Sequence, residues 1–157
     1  MPSKYLEVIS LIERLHRTFL GLVKLELDNR GTRDINNVQA LVLFNIGDAR
    51  MTVGELTATG CYVGSNVSYN LKKLVEAGYL AQERSVHDRR SSLVWLTEQG
   101  RQLRDWLAET LRWHASMLPQ AMILEFDLES TALTLRRIER LWTRASDLVE
   151  RSARFAA

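Results

Sequence analysis

The two ends of this chain carry apolar residues at helical spacing, and more of them than one helix face can hold. Within residues 3–29, Ile12, Leu15 and Phe19 stand three or four apart, which is the period of one helix face. Further leucines widen this surface beyond a single stripe, as is typical of a helix covered on several sides. Gly31 is suited to end this first helix, and a second such segment is predicted from about residue 127 to 151. Both terminal helices therefore need surfaces to pack against.

Composition places the chain among ordinary globular proteins of one domain. It has 157 residues, of which 46% are hydrophobic and 25% charged, and only two are prolines. The net charge is +2, so affinity for nucleic acid would have to come from a local patch. The single cysteine, Cys61, excludes an intrachain disulfide and fits a reducing compartment. We expect no signal peptide and no membrane span of about 20 apolar residues, and hence a cytoplasmic protein.

Three shorter helices are predicted between the two ends. Asn36 can cap the first, and Thr52 with Glu55 can form a capping box at the start of the second. The third follows a tight turn and stops at Gly78, a residue suited to a helix C-terminus. A short helix, a tight turn and a second helix of about four turns is helix-turn-helix geometry.

The segment YLAQERSVHDRRSSLVWLT is predicted to form a β-hairpin, after which Thr97 can cap a helix that runs to about Leu118, just before Pro119. Its tip carries Asp88, Arg89 and Arg90, and because arginines are rarely buried, the tip must face water or something negative. Residues 62–104 hold seven Lys and Arg against four Asp and Glu, a local net charge of +3. This pattern predicts a basic wing that inserts an arginine into a minor groove, with the acid orienting an arginine.

The helix that stops at Gly78 has one apolar face and one polar face. Its predicted buried positions are Val67, Leu71, Leu74 and Val75. The other side is rich in amides and hydroxyls, which read base edges and bond phosphates, whereas an ordinary solvated face mixes Glu and Lys. The predicted DNA-binding residues are Ser65, Asn66, Ser68, Tyr69, Asn70, Lys72, Lys73 and Arg84, together with Asp88, Arg89 and Arg90 of the tip.

These segments together resemble the winged helix-turn-helix of the MarR family of bacterial transcriptional regulators. The resemblance covers residues 35–104 and rests on a DxR wing at 88–90 followed by LTxxG at 96–100. The VS pair at 67–68 and the glycine that ends the helix match as well. The chain departs from the family at Tyr69, where an arginine is common, so the family's base preference does not carry over.

The resemblance implies a single MarR-like domain over residues 1–157, mainly α with a small β-hairpin wing. Its DNA-binding lobe would span residues 33–99, and residues 3–31 and 100–153 would supply dimerisation helices. A homodimer would then read a pseudo-palindromic operator on double-stranded DNA, with the recognition helix in the major groove. The surplus apolar surface of the terminal helices independently favours a homodimer.

The resemblance also implies a small aromatic or anionic effector, bound between the lobes. His16 and His114 lie on predicted apolar faces and, with Phe19 and Phe44, make a candidate pocket. The alternative is that both histidines are hydrogen-bonded core or interface residues. Cys61 is a candidate redox sensor, or else a small buried hydrophobe.

No enzyme, metal site or cofactor is expected from the sequence. Three scattered histidines and one cysteine lack ligand spacing, and no nucleophile elbow or phosphate loop is present. Three functions stay open: a sequence-specific DNA-binding regulator, a winged-helix module that binds a protein instead, and a sensor whose ligand is its main purpose. Steep salt dependence of binding to random duplex would separate the first from the second.

Overall fold

The computed structural model describes residues 2–58, 66–84 and 92–155, with side chains for residues 2–57, 66–84 and 92–149. The predicted mainly helical fold with a hairpin is confirmed. In chain order the elements are α1 (Pro2–Arg30), α2 (Asn37–Ile46), β1 (Met51–Thr52), α3 (Val53–Ala58), α4 (Asn66–Glu76), β2 (Leu80–Arg84), β3 (Ser92–Leu96), α5 (Glu98–Ala115), a 3-10 turn (Leu118–Ala121) and α6 (Glu125–Phe155).

Glycines end α1 and α4 where the sequence predicts. Gly31 has a φ of +82°, and its N–H donates to the carbonyl of Asp28 at 3.0 Å. The next N–H, of Thr32, reaches back to the Leu27 carbonyl at 2.9 Å. Gly78, with a φ of +81°, ends α4 with the same pair of bonds. Glycine adopts this left-handed conformation without the strain that a side chain would bring.

The predicted N-terminal caps of α2 and α3 are both present. The side chain of Asn36 accepts from the N–H of Gln39 at 2.8 Å, and the Gln39 side chain accepts from the N–H of Asn36 at 2.9 Å. Thr52 and Glu55 make the equivalent reciprocal bonds at 3.1 and 2.6 Å. The bond from the Thr52 backbone lowers the pKa of the Glu55 carboxyl, because it favours the ionised form. These caps satisfy backbone donors that α2 and α3 cannot use internally.

The sheet has three antiparallel strands in the order β1-β3-β2. The predicted hairpin is formed by β2 and β3, with Leu80 opposite Leu96 and Arg84 opposite Ser92. The sequence did not predict β1, because two residues are too few for an alternating pattern. The tip of the hairpin, residues 85–91, lies outside the described residues.

The hydrophobic core lies in the first of two compact units, residues 1–110. Only the last third of α1 contributes buried side chains to it, Val23 and Leu27, and α1 packs against α2. The other fully buried large side chains are Val42, Leu43, Ile46, Leu56, Leu74, Val94 and Leu107. The predicted lobe boundaries at 33–99, 3–31 and 100–153 stay predictions.

Residues 111–157 form the second unit, where the structure differs from the predicted helix ends. The helix that begins after Thr97 was predicted to run to about Leu118, but α5 ends at Ala115. The hydroxyl of Ser116 donates to the carbonyl of Trp113 at 2.6 Å, and Pro119 opens the 3-10 turn that follows. Among the described residues, no helix is long and apolar enough to cross a membrane.

Candidate nucleic-acid interface

Helix α4 has one polar, exposed side and one apolar, buried side, as predicted. Its Val67, Leu71 and Leu74 are buried in the core, whereas Val75, which was also predicted to be buried, is only half-buried. The exposed side chains are Asn66, Ser68, Tyr69, Lys72, Lys73 and Glu76, and 58% of Tyr69 is accessible. Ser65, predicted to share this surface, and Cys61 lie outside the described residues. The exposed residues are hereafter called the polar face of α4.

The predicted placement of Asn70 beside this polar face is wrong. Its side chain is only 8% exposed, and its Oδ1 accepts from the Gln39 Nε2 at 3.3 Å. Position 70 is three residues after Val67 and four before Leu74, so it belongs to the core side of the helix. The helical spacing alone could have revealed this burial.

The two lysines of α4 share one carboxylate. Lys73 contacts Glu76 at 2.8 Å, and Lys72 lies 3.8 Å from the same residue. The hydrogen bond to Glu76 raises the pKa of Lys73, and that bond lowers the pKa of Glu76 in return. Because all three side chains are exposed, this pairing contributes little stability and leaves both ammonium groups accessible to phosphate.

Two arginines counted in the local positive charge are engaged within the chain. Arg104 pairs with Asp48 at 2.6 Å and with Asp105 at 2.8 Å. The hydrogen bond to Asp48 raises the pKa of Arg104 above its already high value. Arg101 pairs with Glu98 at 2.8 Å and also donates to the Leu96 carbonyl at 3.1 Å. Fewer positive charges are therefore available to DNA than the count of lysines and arginines in the sequence indicated.

Arg84 is the exposed basic residue at the base of the wing. It ends β2 opposite Ser92, and its side chain faces solvent. Asp88, Arg89 and Arg90, predicted at the tip of the wing, lie outside the described residues.

The LTxxG motif joins the wing to α5. Thr97 Oγ1 donates to the carbonyl of Gly78 at 2.6 Å and accepts from the N–H of Gly100 at 3.1 Å. A Cβ atom at Gly100 would overlap the carbonyl oxygen of Tyr79, so only glycine lets α5 begin so close to the end of α4. The Tyr79 hydroxyl donates to Asp34 at 3.1 Å, and burial raises the pKa of this phenol.

Arginines cover two of the tryptophans, a pairing that the sequence did not predict. The guanidinium of Arg50 lies 4.2 Å from the ring centroid of Trp95, and that of Arg30 lies 4.8 Å from the ring of Trp106. Such cation–π contacts stabilise the flanks of the sheet and of α5.

The structure does not test the candidate effector pocket. His16 is exposed, Phe19 is half-buried and Phe44 is partly exposed in the first unit, while half-buried His114 belongs to the second. A cavity of about 320 Å³ in the first unit is lined by other residues, namely Lys24, Leu27, Asp28, Thr32, Arg33, Ile35, Asn36 and Asn37. In the part of the chain that the structure describes, no cluster of His, Cys, Asp and Glu could hold a metal ion.

Comparison with known proteins identifies a matching family and a relative in sequence. The family described as the winged helix DNA-binding domain matches residues 35–100. The exopolysaccharide II synthesis transcriptional activator ExpG of Rhizobium meliloti (strain 1021) is 39% identical over 142 residues, which cover 90% of this chain and 73% of that protein.

Solved structures share the fold at lower identity. AbsC, a MarR family transcriptional regulator from Streptomyces coelicolor, has a TM-score of 0.68 and 18% identity, covering 87% of this chain and 92% of that chain. MepR of S. aureus, in its complex with DNA, has a TM-score of 0.70 and 17% identity, covering 85% and 96%.

Proposed function

This chain belongs to the MarR family of winged helix-turn-helix transcriptional regulators, and from that premise we propose that it is a dimer that reads a pseudo-palindromic operator. The observation that carries the proposal is the polar face of α4, a helix whose opposite side is buried in the core. Such a helix can enter a major groove while its apolar side keeps it attached to the protein.

We propose distinct tasks along the polar face. Ser68, Tyr69 and Lys72 point into the groove with Ser65, which precedes them. Asn66 and Lys73 lie toward its edges or meet the sugar-phosphate backbone. We leave Asn70 out of the contact set because its amide is buried against Gln39.

The proposed dimer would cover the apolar surface that the single chain leaves open. Leu6 and Leu15 of α1 are 62% and 63% exposed, and no side chain of α6 described up to residue 149 is buried. Surfaces of this kind bury on the order of 2,000 Å² or more in obligate dimers. A two-fold axis would then present two copies of α4 to half-sites about 10 base pairs apart.

A small aromatic or anionic effector, held near His16, Phe19, Phe44 and His114, is proposed to release the operator. Such a ligand must prefer the shape that does not bind DNA, because equal affinity for both shapes shifts no population. Small aromatic acids would be titrated into the protein–DNA complex. The proposal predicts that they release the DNA, and that substitution of these four residues prevents this release.

The Tyr69→Ala variant tests the placement of α4. We expect about tenfold weaker binding and a changed preferred sequence, because one base contact contributes about 1–3 kcal/mol of discrimination. Selection from random duplexes, followed by affinity measurements at several salt concentrations, would show both effects.

Arg84→Gln is the matched control for Tyr69→Ala. It should flatten the plot of log affinity against log salt by about one unit and leave the preferred sequence unchanged. A uniform loss for Tyr69→Ala on all duplexes would make Tyr69 a backbone contact. If the unsubstituted chain binds duplex with no steep salt dependence, the winged helix is instead a module that binds a protein.

Asp88→Ala tests the wing, for which we propose that Arg90 enters the minor groove and Arg89 meets phosphate. If Asp88 orients an arginine, its removal should weaken binding although the net positive charge rises. If it only lowers the positive potential, its removal should tighten binding. Tighter binding at every salt concentration, measured on the selected duplex, would refute the orienting role.

A further inference from the structure

A buried hydrogen bond joins the recognition helix α4 to α2. We propose that Gln39 and Asn70 form a positioning pair that sets the rotation of α4 about its own axis. Asn70 would then determine operator specificity without touching DNA. This inference rests on the proposed function, since it concerns how α4 presents its polar face.

The burial of this pair is unusual within the molecule. Among the described residues, the buried polar side chains are Gln39 and Asn70, which are 5% and 8% exposed. Each is the other's partner, with 3.3 Å between the Gln39 Nε2 and the Asn70 Oδ1. A buried amide group without a partner costs about 1–3 kcal/mol. A shift of α4 that separates the Gln39 Nε2 from the Asn70 Oδ1 is therefore unfavourable for both groups.

The donor of this hydrogen bond is itself held in place. The Gln39 Oε1 accepts the backbone N–H of Asn36 at 2.9 Å, which turns the Nε2 of the same amide toward Asn70. The neighbouring Asn37 donates from Nδ2 to the carbonyl of Leu20 at 2.8 Å and thereby fastens the start of α2 to α1. The Asn70 Oδ1 on α4 therefore accepts from the Gln39 Nε2, whose direction is fixed by contacts within α2 and between α2 and α1.

The apolar contacts of α4 cannot supply the same restraint. Val67, Leu71 and Leu74 bury surface, and the energy of that burial has no direction. A hydrogen bond weakens steeply as its angle departs from linearity. Since Tyr69 and Asn70 are neighbours on one rigid helix, any rotation of α4 that breaks the Asn70 bond also displaces Tyr69. Buried polar partners are known to fix helix register in this way.

The test compares substitutions at both ends of the bond with a control on the same face of α4. Asn70→Leu and Gln39→Met each remove the bond, and Leu71→Met keeps an apolar side chain of similar volume. The readout is the ratio of affinities for a duplex selected by the unsubstituted chain and for a scrambled duplex of equal composition. Thermal unfolding of each variant identifies those that remain folded.

We expect each of the two substitutions to lower this ratio about tenfold, and the double variant to lower it about tenfold as well, because both remove the same hydrogen bond between α2 and α4. Gln39→Met also removes the bond from the Asn36 N–H, which lies within the cap of α2. Leu71→Met should leave the ratio within about twofold. A direct DNA contact by Asn70 would instead leave Gln39→Met unchanged, which overturns the inference. An unchanged affinity ratio in a folded Asn70→Leu variant would also overturn the inference. If Asn70→Leu does not fold, Asn70→Ala replaces it in the same test.

Hydrogen exchange in the DNA-free protein separates this inference from the proposed function. We expect the backbone amides of α4 to exchange several-fold faster in Asn70→Leu than in Leu71→Met. Equal exchange in the two variants overturns the positioning role even if DNA binding is intact. If the unsubstituted chain selects no duplex, the proposed function fails, and the exchange comparison still decides whether the pair restrains α4.

Discussion

A chain that carries Leu141→Glu and Leu148→Glu is expected to sediment as a monomer at micromolar concentration, where the unsubstituted chain should sediment as a dimer. Both leucines are more than half exposed in the single chain, at 57% and 64%. They stand seven residues apart on the apolar stripe of α6, so one partner surface would cover both. Each carboxylate would enter that interface without a partner, and burying an unpaired charge costs several kcal/mol.

A charge-matched variant of the same helix makes this result specific. Arg136→Gln with Thr143→Glu also adds two negative charge units at a spacing of seven, but on the charged side of α6. This variant should remain a dimer. A monomeric unsubstituted chain, or two variants that dissociate equally, would contradict the proposed interface. The leucine variant can also precipitate, because its apolar surface on α1 then stays uncovered.

The second large effect is expected from Gly100→Ala, which should destabilise the fold by about 3 kcal/mol and lower the melting temperature by roughly 10 °C. The added Cβ would overlap the Tyr79 carbonyl oxygen, which Thr97 also contacts. Relief requires the first turn of α5 to move away from the end of α4. Thermal and urea unfolding of the purified protein would measure the loss.

Gly21→Ala is the matched control, because it is the same exchange inside a helix. A Cβ at Gly21 has no atom within 4 Å, so the substitution should be neutral or stabilise by up to about 1 kcal/mol. Equal stability of the two variants would show that the contact with Tyr79 does not constrain position 100. A selective loss in Gly100→Ala would explain the glycine of the LTxxG motif by packing rather than by DNA contact.

Local chemistry explains why much of the fold was predictable. Asn36 with Gln39, and Thr52 with Glu55, bond partners three residues away, so each cap can be read from a short stretch of sequence. The same holds for Gly31, whose left-handed backbone closes α1 within two residues. The polar face of α4 was predictable for a related reason, since helical spacing alone assigns most of its positions.

The sequence by itself determined the order of the helices, their caps and the hairpin, because those features depend on residues close in the chain. Tertiary structure decided the rest. Asn70 forms a buried hydrogen bond with Gln39, which is 31 positions away in the sequence. Arg104 pairs with Asp48, 56 positions away, and so does not contribute a free charge to the basic surface. The strand β1 likewise exists only because β3 supplies its backbone partners. Helical spacing can assign a side chain to one side of its helix, but the group that the side chain meets there depends on what the fold places beside it, and no local pattern carries that information.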